Sequence, residues 1–190
     1  MQESEDRIQV SACIINLVIS ELNYSIKFLN LFKPLKLMTT HTDKDSDKYI
    51  FFDKTADAKF QAFGNTLDEA FRNAQEAMIS LMYSLDTIID YEFDKETREI
   101  IVEGANLESL LYNFLEEVIF LMNAEFFVGL VDRLQIIKIE EIYKLKAILS
   151  GTLAINLESH GEIKAVTYNE MYVKFDEDKQ MYTAQVVVDL

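Results

Sequence analysis

Two acidic residues far apart in the chain are the best candidates for chemistry. Asp57 follows a short aromatic run, and Asp189 follows three β-prone valines and stands one residue before Leu190. Chain ends are usually the least ordered part of a domain, so a final strand that stops on Asp-Leu indicates an end with a function. An end where the Leu190 carboxylate lies near a side-chain carboxylate is suited to binding a cation.

The charge of the chain limits the partners that it can bind. The net charge is −15, and the whole imbalance lies after residue 38. Affinity for RNA and DNA comes largely from Lys and Arg side chains that neutralise phosphates, so strong direct nucleic-acid binding is not expected. A basic protein or a cation is the expected kind of partner.

The cysteine and histidine content excludes several kinds of site. Cys13 is the only cysteine, so an internal disulfide and a Cys-rich zinc site are excluded, and a reducing compartment, the cytoplasm or nucleus, fits. Two histidines, His41 and His160, make a His-based zinc site improbable. The sequence shows neither a Gly-rich phosphate loop nor an internal repeat.

Residues 1–48 are predicted to be an extension and linker. Residues 10–22 form an apolar run that is too short to span a bilayer, which needs about 20 apolar residues, so no membrane association is expected. The charged residues before this run are mostly acidic, whereas a signal peptide begins with basic residues. Two interpretations stay open: an amphipathic extension that packs on the domain or on a partner, and a true start at Met38 that would make the preceding leader an artefact of gene annotation.

Two helices are well marked in the predicted domain, residues 49–190. Thr66 and Glu69 form a capping box, and apolar residues then recur at helical spacing up to Met82. Asn106 is a good N-cap for a second helix, whose apolar face extends to Met122.

The remaining segments of the domain are rich in β-branched and aromatic residues, which predicts strands. The predicted strands are residues 49–52, 58–63, 98–103, 133–139, 143–149, 162–168, 171–175 and 182–188. Short polar segments link the last four, so these four should be antiparallel neighbours. We expect an α+β domain with a largely antiparallel β-sheet and two α-helices packed on one face.

Five segments of the domain form a recognisable series: residues 53–57 (DKTAD), 64–71 (GNTLDEAF), 107–117 (LESLLYNFLEE), 160–168 (HGEIKAVTY) and 186–190 (VVVDL). In this order and spacing they resemble the archease family, whose members assist RtcB-type RNA ligases. Each motif alone is weak. Their order, their spacing and the stop just after Asp189 make the match specific, and it covers essentially all of residues 49–190.

The resemblance implies a function and a set of site residues. It implies a protein that is not an enzyme but activates the ligase, promoting guanylylation and multiple turnover in tRNA splicing and RNA repair. It also implies that Asp57 and Asp189, joined by a main-chain or terminal oxygen of Leu190, ligate a divalent cation, Ca²⁺ or Mg²⁺, and that Lys164 contributes to activation. Carboxylate and carbonyl oxygens are the ligands that such hard cations take, and water completes the shell.

Two residues depart from the family pattern. Lys54 replaces the usual histidine of an Asp-His-Thr-Ala-Asp motif, and Asn169 stands where many members have a second histidine. A protonated lysine cannot ligate a metal, so Lys54 would instead offset the charge of the acidic cluster or contact a phosphate.

Two other classes of function stay open. The same acids would serve a metal-dependent phosphoester hydrolase, although hydrolases generally need a positioned base and a phosphate clamp, and the chain has only four arginines. An acidic general chaperone or binding module would use the acidic surface without depending on Asp189.

Overall fold

The computed structural model describes residues 48–52, 57–91 and 95–190. The expectations for the extension and for a start at Met38 fall outside the described residues, as does that for Lys54. The elements in chain order are β1 Tyr49–Phe52, β2 Asp57–Gly64, α1 Leu67–Ser80, α2 Leu85–Asp90, β3 Glu96–Gly104, α3 Leu107–Ala124, β4 Phe127–Ile139, β5 Ile142–Leu153, a 3-10 turn Ala154–Asn156, β6 Ala165–Asp176 and β7 Met181–Asp189.

The strands of the described residues form two antiparallel sheets. One has the order β1-β2-β7-β6, and the other has the order β3-β5-β4. The predicted α+β fold class is confirmed. The expectation of a single sheet is wrong, because residues 154–164 carry the chain from β5 in one sheet to β6 in the other. Of the last predicted strands, β6 and β7 are antiparallel neighbours as expected, and β5 is not their neighbour. The two strands predicted at residues 162–168 and 171–175 are one strand, β6.

The two long helices pack against both sheets. Helix α1 contacts β2 and β7 of the four-stranded sheet and β4 of the other, while α3 contacts β3 and β6. The helices meet where Phe71 stacks on Phe114, with ring centroids 6.5 Å apart. Both rings are completely buried, and burying a side chain of this size stabilises the fold by about 1.5–3 kcal/mol.

Both predicted helix caps are present. Asn106 and Ser109 form a reciprocal capping box, in which each side chain accepts the backbone N–H of the other residue. Thr66 Oγ1 accepts from Glu69 N at 3.1 Å. The Glu69 carboxylate accepts the N–H of Asn65 at 2.7 Å, one residue before the cap, and not the N–H of Thr66 that the predicted capping box requires. The turns that start α1 and α3 are therefore fixed by their own sequence.

The domain contains a structural repeat that the sequence reading missed. Strands β2, β7 and β6 pair in the same antiparallel way as β3, β5 and β4. We call β2, α1, β6 and β7 the first half and β3, α3, β4 and β5 the second half. Gly64 pairs with Tyr182 in the first half, and Gly104 pairs with Tyr143 in the second. Each residue of β2 and α1 corresponds to the residue of β3 or α3 whose number is higher by forty.

Each half begins with the same strand-to-helix junction. A Cβ atom on Gly64 would lie 2.3 Å from Ala70 N, and one on Gly104 would lie 2.4 Å from Leu110 N, so the helix backbone packs directly on each glycine. One helix residue in each half also holds the strand end. Asn73 donates to Phe63 O at 2.6 Å, and Asn113 donates to Glu103 O at 2.8 Å.

Each long helix also caps the edge strand of the other half. Asp68 of α1 accepts from Ile136 N of β4 at 3.0 Å, and Glu108 of α3 accepts from Val173 N of β6 at 3.2 Å. Unpaired backbone groups on an edge strand invite pairing with other chains. The side chains of α1 and α3 therefore occupy backbone donors of β4 and β6 and join the two halves to each other.

Candidate metal centre

The two predicted acidic residues are directly opposite each other. Asp57 is the first residue of β2 and Asp189 is the last residue of β7, and the two are partners in the antiparallel register. Directly opposed residues of such a pair project from the same face of the sheet, with Cβ atoms about 4.5–5.5 Å apart. The fold thus brings together two carboxylates that the sequence separates by most of the domain.

The strands that carry the pair hold it in a fixed place. The register of β2 with β7 runs without a bulge from Asp57 to Gly64. Val186, Val187 and Val188 are completely buried, so the end of β7 that carries Asp189 is packed on both faces of the sheet. Asp57 and Asp189 are themselves half-buried, which leaves room for water or a bound ion.

Lys164 and Leu190 lie at the same end of the sheet. Lys164 N donates to Asp189 O at 2.9 Å, and Lys164 Nζ donates to Leu190 O at 2.6 Å. The neighbouring residue, Ala165, is the β6 partner of Asp189. The residue predicted to act in activation is thus bonded through its ammonium group to an oxygen predicted to be a ligand.

The chemistry of these donors fits a hard cation. Two carboxylates that face each other across strands repel and destabilise the sheet unless a positive charge compensates them. In the described ranges, no group of three or more His, Cys, Asp or Glu side chains is arranged to hold a metal. A cation at this end would therefore take two carboxylates and the Leu190 oxygen, and it would keep several water ligands.

Near this end, β6 contains a bulge that the sequence reading took for a turn between two strands. The pairing with β7 steps from Thr167 and Val187 to Tyr172 and Gln185, so residues 168–171 lie outside the regular ladder. Bulges of this kind re-aim side chains at the edge of a sheet.

Side-chain contacts hold this bulge in place. Glu170 has a φ of 55°, a value that non-glycine residues rarely adopt, and its carboxylate forms an ion pair with Lys59 of β2. Tyr168 stacks on Tyr112 of α3 with ring centroids 4.2 Å apart, and the pKa of Tyr112 is raised by burial, then by the charge of Glu116 and by Tyr168. Asn169, which replaces a family histidine, is exposed in the same bulge.

None of the helices in the described residues is long and apolar enough to cross a membrane.

Comparisons with known proteins agree with this architecture. The model of the archease protein family matches residues 49–190. The archease of Methanosarcina acetivorans is 38% identical over 147 residues, covering 75% of this chain and 96% of the relative. The archease of Danio rerio is 30% identical over 165 residues, covering 85% of this chain and 97% of the relative.

A solved structure supports the same assignment. The solution structure of protein 1598 from Methanobacterium thermoautotrophicum has a TM-score of 0.65 and 32% identity, and the match covers 76% of this chain and 99% of that one. Family model, relatives and solved fold all coincide with the part of the chain that carries the Asp57–Asp189 pair. The chain belongs to the archease family.

Proposed function

We propose that this protein is a non-enzymatic, metal-binding activator of an RtcB-type RNA ligase. In this role it promotes guanylylation of the ligase and its multiple turnover in tRNA splicing and RNA repair, in the cytoplasm or the nucleus. The observation that carries the proposal is the direct opposition of Asp57 and Asp189 in a member of the archease family.

In the proposed site, Asp57, Asp189 and the oxygen of Leu190 hold a divalent cation, Ca²⁺ or Mg²⁺. The bound cation supplies a positive charge that stabilises negative charge on the nucleotide or phosphates of the ligase. The part of this chain is to hold the two carboxylates at a fixed separation through the β2–β7 register. Water ligands leave the cation accessible to a group from the partner.

Lys164 has a positioning role in this proposal. Its ammonium group donates to Leu190 O and so fixes the last residue beside the carboxylates. It also adds one positive charge to a place where two negative charges face each other. Since Lys164 is exposed, the same group is available to a partner phosphate after a small rotation.

The charge of the chain supports a protein partner rather than bare RNA. A net charge of −15 repels a polyanion and favours docking on a basic surface, such as the region around a nucleotide-binding site. We therefore place the ligase, and not free RNA, as the molecule that this protein binds directly.

A guanylylation time course of the cognate ligase, with and without this protein, tests the proposal. We expect stimulation by the wild-type chain and its loss in Asp57→Ala and Asp189→Asn. Asp178→Asn, in the exposed turn before β7, is the matched control and should stimulate as the wild type does. Circular dichroism verifies that each variant is folded. Full stimulation by both site variants would overturn the proposed site.

A phosphoester assay without the ligase, together with the Asp189→Asn variant, separates the other classes of function. A hydrolase would turn over phosphoesters with Mg²⁺ or Mn²⁺ in the absence of the ligase. Two of the described arginines, Arg98 and Arg133, lie in the three-stranded sheet, whereas the acidic pair lies in the four-stranded sheet, which argues against a shared phosphate clamp. A general chaperone would act equally well without the Asp189 carboxylate.

A further inference from the structure

An extra strand, β1, lies beside the first half of the repeat, and the described residues hold no such strand beside the second half. Strand β1 lies along the outer edge of β2, with Tyr49 opposite Ala62 and Phe52 opposite Lys59. The backbone of Lys48 continues this pairing, because Phe63 N donates to Lys48 O at 2.8 Å. Strand β3 is the counterpart of β2, and among the described residues no strand pairs with its outer edge.

A groove lies beside β3 where the repeat would place such a strand. Its volume is about 430 Å³, and it is lined by Val102 and Glu103 of β3 and by Asn113, Glu116, Glu117 and Phe120 of α3. The counterpart of Val102 is Ala62, which is completely buried where β1 covers β2, whereas Val102 is only half-buried. The groove is thus the place that β1 fills in the first half.

The first half shows which chemistry suits this place. Lys48, just before β1, forms an ion pair with Glu76 of α1 at 3.0 Å. The counterpart of Glu76 is Glu116, whose carboxylate accepts from Val166 N of β6 at 2.7 Å, and Glu117 beside it adds a second carboxylate to the groove. Phe120, 53% exposed, adds an apolar side chain. The groove therefore combines acidic groups with an apolar wall, which complements a basic residue followed by large apolar ones.

The backbone of β3 can accept an added strand in one register. Phe63 N points away from β7 and donates to Lys48 O. By the repeat, the N–H of its counterpart, Glu103, points away from β5, toward the open edge of β3. The alternation of an antiparallel ladder then assigns outward groups to Ile101 and Glu99. The carbonyl of Glu103 is already held by Asn113, so at that residue only the N–H remains for a partner. Addition of an extended peptide to a sheet edge is a common recognition mode, with affinity from the main chain and specificity from side-chain pockets.

We propose that the groove between β3 and α3 binds an extended segment of a partner protein as an added antiparallel strand. The segment has a lysine or arginine at its start, facing Glu117, followed by aromatic or β-branched residues that cover Val102 and Phe120. This surface belongs to the second half and is distinct from the Asp57–Asp189 pair, so it stands whether or not the ligase is the partner.

A peptide that copies the chain's own edge strand is the direct probe. It has the sequence of residues 48–52, Lys-Tyr-Ile-Phe-Phe, with two added C-terminal lysines for solubility. Two control peptides keep the tail: one has Glu in place of the first Lys, and the other is N-methylated at alternate residues so that it cannot pair with β3. Hydrogen exchange and NMR amide shifts of the full chain report where each peptide binds, and fluorescence anisotropy gives its affinity.

We expect slower exchange at Glu99, Ile101 and Glu103 with the probe peptide and no change with the N-methylated one. Glu117→Lys and Phe120→Ser should each weaken binding about tenfold. Their matched controls, Glu158→Lys and Ile155→Ser, alter exposed residues beyond the far end of β5 and should leave binding unchanged.

Three results would overturn the proposal. One is protection of Lys59 and Gln61 instead, which would show that the peptide replaces β1. Another is equal binding of the N-methylated peptide, which would show charge attraction without strand pairing. The third is a dimer in sedimentation that the Ile101→Lys variant abolishes, which would assign the edge to a second copy of this chain.

Discussion

Asp68 of α1 and Glu108 of α3 perform the same task in opposite directions. Asp68 accepts from Ile136 N of β4 in the three-stranded sheet, although α1 follows β2 of the four-stranded sheet. Glu108 accepts from Val173 N of β6 in the four-stranded sheet, although α3 follows β3 of the three-stranded sheet. The two halves of the domain are therefore fastened by a reciprocal pair of hydrogen bonds. Both contacts are made from the first turn of a helix, where an acidic side chain is also favoured by the helix dipole.

Removing either carboxylate should destabilise the domain. In Asp68→Ala and Glu108→Ala, the N–H of Ile136 or Val173 loses its partner. These hydrogen bonds are partly buried, so the loss should be at most the cost of about 1–3 kcal/mol for a fully buried unsatisfied donor. Glu108→Gln keeps an acceptor oxygen and should cost less than Glu108→Ala. Urea unfolding measures the free energies, and equal losses for Gln and Ala at position 108 would show that the hydrogen bond contributes nothing.

Asp68 should also make stability depend on pH. Burial raises the pKa of Asp68, and the hydrogen bond from Ile136 and the charge of Arg72 oppose this only in part. A group with a raised folded-state pKa binds its proton more tightly when folded. Its contribution to the free energy of unfolding therefore falls as pH rises from the ordinary value of 3.8 through the raised pKa.

Comparison of the wild type with Asp68→Asn isolates this effect, since asparagine keeps an acceptor but does not titrate. The stability of the wild type relative to the variant should decrease with rising pH in the acidic range and become constant above the raised pKa. A difference that stays the same from acidic to neutral pH would contradict the assignment.

The two junction glycines should tolerate no side chain. In Gly64→Ala and Gly104→Ala, the new Cβ would press on the backbone of α1 or α3 at 2.3 or 2.4 Å. Relief requires the helix to move, and overpacking of this kind costs about 1–3 kcal/mol. Gly161→Ala is the matched control, because its nearest neighbour, Leu81 O, is 3.5 Å away. Denaturation midpoints that fall equally for all three variants would contradict this explanation.

Asp57 and Asp189 should couple stability to cations. Without a divalent ion, Asp189→Asn removes a repulsion between opposed carboxylates and should stabilise the domain by about 0.2–1 kcal/mol. With Ca²⁺ or Mg²⁺, the wild type should gain stability as the ion binds the folded state, and the variant should gain less. Thermal unfolding with chelator and with added cation measures both effects. Equal cation-dependent shifts in the wild type and in Asp189→Asn would remove Asp189 from the proposed site, with Asp178→Asn as the reference.

Removal of the Lys164 side chain should raise the affinity for the cation and lower the stimulation of the ligase. In Lys164→Ala, the oxygen of Leu190 is no longer held beside the carboxylates, but a positive charge leaves the site. We expect the charge to have the larger effect, so cation affinity should rise a few-fold. Stimulation of the ligase should nevertheless fall, because the variant lacks the group proposed to act on the partner. Calorimetric titration with the cation and the guanylylation assay give the two results. A parallel fall in both would mean that Lys164 only holds the site together.

Local signals in the sequence predicted the two long helices well, but they did not predict the short helix α2. Thr66 and Asn106 were identified as caps because a cap depends on residues within one turn of the helix. The division into two sheets was missed because it depends on which strands meet. Strands β5 and β6 follow each other in the chain, but β5 pairs with β3 and β4, whereas β6 pairs with β7.

The candidate site was found from the family resemblance, and the structure added the register that makes Asp57 and Asp189 partners. The bulge at Glu170 gave no clear signal, because glutamate rarely adopts a positive φ and neither neighbour is a glycine. The repeat was missed because few residues are constrained in both halves. In the first half these are Gly64, the cap Thr66, Leu67, Asp68 and Asn73, which holds the strand end. In the second half they are Gly104, the cap Asn106, Leu107, Glu108 and Asn113.

The place of β7 between β2 and β6 has a consequence for biosynthesis. During translation, β3, α3, β4 and β5 leave the ribosome as one continuous stretch, so the three-stranded sheet can form early. Strands β2 and β6 can join the four-stranded sheet only after β7, which follows both of them in the chain. The nascent four-stranded sheet therefore exposes its unfinished centre until synthesis of β7 is complete, and the pair at Asp57 and Asp189 is assembled last.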